Sequence, residues 1–84
     1  MGKSPEVVFR LGSVRASVFL NDGERGPFRT VTLQRSYQDA DGNWQTSDSF
    51  TSGHAAAALA VLQRALNHML DRESQKDAEI AAAE

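Results

Sequence analysis

The hydrophobic period of this chain changes once, at Ser52. Before it, Val14, Ala16, Val18 and Leu20 alternate with Arg15, Ser17 and Phe19, the two-residue period of a strand with one buried face. After it, Ala55, Ala58, Leu59, Val61, Leu62, Ala65, Leu66, Met69 and Leu70 recur at helical spacing and fill about half of a helix circumference. A run of strands followed by one long helix restricts the chain to an α+β architecture, a sheet backed on one side. Thr51 or Ser52 can cap the helix by accepting a backbone N–H, and the alanines that follow have high helix propensity.

Four strands are expected before the helix: Glu6 to Leu11, Val14 to Leu20, Phe28 to Tyr37 and Trp44 to Phe50. Gly12 punctuates the first pair, and Asn21 to Pro27, with two glycines and a proline, reads as a loop. The run RSYQDADGNW, Arg35 to Trp44, closes the last pair. Asp41-Gly42-Asn43 tolerates the left-handed backbone of a tight hairpin, and Tyr37 and Trp44 flank it as expected cross-strand neighbours. The expected organisation is a flexible stretch over 1–5, one ββββα domain over 6–72, and a frayed or disordered end over 73–84.

Eighty-four residues support one small core, and domains of this size often need a staple. Cysteine is absent, so neither disulfides nor thiolate metal cages are available, and His54 and His68 stand fourteen positions apart with no second ligand beside either. No metal or other cofactor is expected. Association with a second copy is the staple that is left. The apolar helical stripe is wider than one sheet face needs, and its edge of Ala58, Val61 and Ala65, with Leu62 and Met69, is expected to accept a partner helix in a homodimer, the alternative being that the stripe merely covers the chain's own sheet.

Net charge is −2, yet the charges are segregated. Residues 1–38 hold six Lys and Arg against three Asp and Glu, whereas residues 39–84 hold three against eight. The cations therefore belong to the strands and the anions to the helix and tail, which points to a basic sheet face with salt-sensitive affinity for anions. MGKSP has no apolar core of a signal segment, Glu6 stands where a myristoylation signal wants Ser or Thr, and the apolar run Ala55 to Leu62 is too short to span a bilayer. The expectation is an intracellular protein, cytoplasmic or nucleoid-associated, with no membrane and no small-molecule substrate as partner.

Enzyme signatures are weak, and no enzymatic activity is expected. Asp39 and Asp41 imitate the start of a calcium loop, but Gly42 comes at position four instead of six and no Glu closes the loop. Ser52, His54 and Asp48 could be drawn as a triad, although two of them sit at the helix start, where capping accounts for them. Gly23 and Gly26 match neither dinucleotide nor P-loop spacing.

The strand order and the residues Phe9-Arg10-Leu11-Gly12, Val14-Arg15 and Tyr37-Gln38-Asp39-Ala40-Asp41-Gly42-Asn43-Trp44 resemble the C-terminal domain of the transcriptional coactivator positive cofactor four, and the wider whirly-like family of single-stranded DNA-binding proteins. The resemblance spans about residues 7 to 70. It implies a curved four-stranded antiparallel sheet with one C-terminal helix, a dimer formed largely through the helices, and sheet faces that form channels for single strands. It also implies a backbone-contacting role for Arg15 and a base-stacking role for Tyr37. The basic position of the family's third strand is Gln34 here, beside Arg35, and its basic fourth strand is replaced by Gln45-Thr46-Ser47-Asp48-Ser49-Phe50.

Unpaired bases expose apolar faces, so a protein that reads single strands offers rings for stacking and arginines for phosphate. Phe19 and Arg15 share one face of the second strand, and Thr30, Thr32, Gln34 and Ser36 line one face of the third. The candidate nucleic-acid residues are Arg15, Phe19, Arg25, Arg29, Arg35, Tyr37 and Trp44. Two functions stay open: a homodimeric module for single-stranded DNA, or RNA, in transcription, replication or repair; and a protein-interaction or structural dimer of the same fold.

Overall fold

The computed structural model describes residues 4–83, with side chains described through Glu73. Its order is β1 (Val7–Leu11), β2 (Val14–Gly23), β3 (Gly26–Gln38), β4 (Trp44–Ser47) and α1 (Ser52–Ala83). The strands form one antiparallel sheet in the order β1-β2-β3-β4, so the ββββα expectation holds. The expected end of the domain at 72 and the frayed stretch over 73–84 fall largely on residues whose side chains lie outside those described, as does most of the stretch over 1–5.

Two-residue turns make the first two connections. Gly12 takes φ +60 at the first central position of the β1–β2 turn, where a type II′ hairpin places glycine. The expected loop at Asn21 to Pro27 is strand instead: Asn21 pairs with Phe28 and Asp22 with Pro27, and only Glu24 and Arg25 remain between. Pro27 stands next to the closing Gly23–Gly26 pair, at a position whose missing N–H would point away from β2, so no ladder bond is lost. At the other end, β4 stops at Ser47, short of the expected Phe50. The Ser47 hydroxyl accepts the Ser49 N–H at 3.0 Å and turns the chain, and Phe50 packs against the core.

Thr51 is the cap. Its Oγ1 accepts the His54 N–H at 3.4 Å and its carbonyl accepts the Ala55 N–H at 2.7 Å. The helix lies over one sheet face, where Val14, Ala16 and Val18 of β2 meet Ala58, Val61 and Ala65. Half-buried Val7, Phe9, Val31, Leu33 and Met69 surround them. The edge expected to receive a second helix is therefore occupied by the chain's own sheet, because alanines let the helix approach a sheet of small β-branched residues closely. Leu59, Leu66 and Leu70 stay exposed on the neighbouring stripe, with Leu62 half-buried among them.

Candidate nucleic-acid interface

Strand alternation and the unbroken registers divide the sheet into a face under the helix and an open face. The open face carries Val8 and Arg10 of β1, Arg15, Ser17, Phe19 and Asn21 of β2, and Phe28, Thr30, Thr32, Gln34, Ser36 and Gln38 of β3. Trp44 and Thr46 complete it on β4. None of these is an Asp or Glu. The acidic residues of the sheet region stand at its turns, beyond its ends or on the covered side.

Arg15 is the anchored cation of this face. Its guanidinium donates to Gln34 Oε1 at 2.6 Å and to Ser36 Oγ at 3.0 Å, two neutral acceptors that orient the charge without cancelling it. Arg10 stands directly opposite Arg15 across β1 and β2 and is exposed. Arg10, Arg15, Ser36, Trp44 and the Gly12–Val14 turn line a hollow of about 420 Å³. Trp44 is 69% exposed there, so its ring face is available. Phe19, half-buried, and Phe28, exposed, lie farther along the same face, toward the β2–β3 turn. Phe28 lies across Gly23, where a Cβ would come within 3.0 Å of its ring.

The remaining candidates lie elsewhere. Tyr37 pairs with Gln45 and Trp44 with Gln38, so the two rings point to opposite faces and are not cross-strand neighbours. The five-residue connection Asp39–Asn43 sets this parity. Arg35 shares the covered face with Tyr37, holds its guanidinium 5.2 Å from the ring centroid, and donates from Nε to the Ser49 carbonyl at 3.0 Å. Arg29 is also on that face, in a two-pronged ion pair with Glu6 at 2.9 and 3.1 Å. Arg25 is exposed at the tip of the β2–β3 turn. Thus Arg15, Phe19 and Trp44 share the open face, Arg15 and Trp44 at one hollow and Phe19 farther along the strands, while Arg29, Arg35 and Tyr37 do not join them. Arg10 and Phe28 join the site although neither was among the candidates. The position of Arg10 was legible: it mirrors Arg15 about the Gly12–Ser13 turn.

Glu6 ties three elements together. It accepts from Arg29 of β3 and contacts His68 Nε2 of the helix at 2.6 Å, while His68 meets the Phe9 ring edge-on at 6.2 Å between centroids. Hydrogen bonds from Arg29 and then His68 hold the Glu6 carboxyl down from 4.5 to about 2. Asp39 organises the last hairpin. Its Oδ1 accepts the Asp41 and Asn43 N–H groups, each at 3.0 Å, and these bonds, that from Asn43 foremost, lower its pKa.

Among the described residues, no helix is long and apolar enough to cross a membrane. Compared with known proteins, the chain matches no family model, no curated protein and no solved structure.

Proposed function

We propose that the protein binds single-stranded nucleic acid along the open sheet face. The observation that carries this reading is the charge segregation: in a chain of net charge −2, the open face holds Arg10 and Arg15, a row of hydroxyl and amide groups and three aromatic rings, with no carboxylate at any ladder position. Such a surface offers stacking to bases and charge to phosphates, and hydroxyls and amides contact backbone oxygens without reading sequence. With two cations on the face, binding is modest and falls only about sevenfold between about 50 and about 200 mM salt. The module acts as a homodimer in transcription, replication or repair.

The test is fluorescence polarisation with an internally labelled oligo(dT) at about 50 and about 200 mM salt. Binding at the lower salt that weakens at the higher supports the reading. Trp44→Ala removes a stacking platform worth about 1–3 kcal/mol, so affinity falls at least several-fold. Tyr37→Ala, on the other face, leaves affinity within about twofold, since no ring is lost from the track. Equal losses would move the interface away from the open face. The second reading, a protein-interaction dimer, draws on the β3 edge: β4 pairs only with Arg35 to Gln38, so residues 26–34 leave a long edge open to an added strand. It is favoured if no oligonucleotide binds at low salt.

A further inference from the structure

Arg10 and Arg15 sit directly opposite one another on antiparallel strands, an arrangement of like charges that destabilises a sheet. Among the described residues no carboxylate relieves it. Arg15 is held by Gln34 and Ser36, both neutral, and Arg10 has no hydrogen-bond or ion-pair partner among the described residues. Two full positive charges therefore border one hollow, beside a Trp ring that is 69% exposed.

The hollow lies at an end of the sheet, where the Gly12–Ser13 turn and the Asp39–Asn43 hairpin come together. Past Trp44 the chain presents the tip of the Asp39–Asn43 hairpin, which carries Asp41. Asp39 turns its carboxylate into this hairpin, where it accepts from the Asp41 and Asn43 N–H groups and from Gln45 of the covered face. A phosphate backbone that continued in that direction would run into negative charge. In the other direction it meets Ser17, Thr32, Thr30 and Phe19, which are neutral. A phosphodiester carries one negative charge, whereas a phosphomonoester carries about −1.5 to −2 near neutral pH and offers three acceptor oxygens.

We infer that this hollow takes the phosphorylated end of a strand, its terminal phosphomonoester between Arg10 and Arg15 and its terminal base on Trp44, with the rest of the strand leading away along β2 and β3. The inference rests on the strand-binding reading above and adds to it a preference for ends. Arg10 is the residue that distinguishes the two, because Arg15 would contact an internal phosphate as well.

The test is competition among three oligo(dT) strands of equal length, bearing a 5′-phosphate, a 3′-phosphate or neither, against the internally labelled strand. One phosphorylated strand is expected to bind about tenfold more tightly than the unphosphorylated one, the effect of one further charge-assisted hydrogen bond. Arg10→Gln, at an exposed position with no partner among the described residues, is expected to bring that ratio close to one. Equal affinity of all three strands overturns the preference for ends and leaves strand binding standing. A ratio that survives Arg10→Gln overturns the assignment to this hollow, and absence of binding by every strand overturns both readings.

Discussion

The Glu6 carboxylate shows how one side chain can connect elements far apart in sequence. It joins the start of β1 to Arg29 of β3 and to His68 of the helix, sixty-two positions away. Because its pKa falls from 4.5 in the free group to about 2 in the folded chain, its stabilising contribution is complete above the first value and is lost as pH falls through the second. Glu6→Gln is expected to destabilise the fold by about 1 kcal/mol near neutral pH, the order of a two-pronged surface ion pair. The gap between variant and parent, read from urea unfolding, closes as pH is lowered toward 2. A gap that stays constant with pH would assign the effect to packing instead of charge. Arg29, occupied in this pair, has little charge left to offer a ligand, and its guanidinium pKa is raised by the same bond.

Among the elements, the β1–β2 hairpin does most to define the candidate site, because its turn places Arg10 against Arg15. Gly12 at φ +60 permits that turn, and a Cβ built there meets nothing within 4 Å. The cost of Gly12→Ala is therefore conformational and not steric. About 1 kcal/mol is expected, the penalty for a non-glycine residue in left-handed backbone. It should appear as a lower urea midpoint with an unchanged slope. A changed slope would mean that the compactness of one state had altered. The β2–β3 ribbon is longer than either neighbour, so its outer half has strand partners on one side only, with Arg25, Pro27 and the charged turn protecting the edges from indiscriminate pairing.

The molecule as a whole is thin and long, 59 × 30 × 15 Å, with a radius of gyration of 16.0 Å. A compact single domain of this length would have about 12 Å. Among the described residues the buried apolar ones are Val14, Ala16, Val18, Ala58, Val61 and Ala65, half of them alanines. So small a core gives little burial energy, while Leu59, Leu66 and Leu70 remain in water at 69%, 41% and 48% exposure. These three leucines, with Leu62, recur along one helix stripe beside the sheet-packed face, which is where the proposed homodimer would bury apolar area. Sedimentation equilibrium is expected to give twice the chain mass, and Leu66→Glu, placing a charge in the stripe, is expected to give the chain mass or loss of folding. A parent chain that sediments as a monomer would remove the dimer from the proposal.

The architecture was legible because it follows from local periods. Alternation along Val14 to Leu20 and helical recurrence after Ser52 are properties of neighbouring residues, and Thr51 and Gly12 mark their boundaries by short-range chemistry. The pairing of Arg15 with Phe19 on one face, and the row from Thr30 to Ser36, come from the same period-two rule. Three things were decided only when the elements packed. The parity of the Asp39–Asn43 connection sent Tyr37 and Trp44 to opposite faces, and Glu6 drew Arg29 into an ion pair. The sheet took the alanine edge of the helix and left the leucines bare. The last two depend on contacts between distant residues and the first on the length of one turn, and a charge or a ring in the sequence carries no record of which surface it will share.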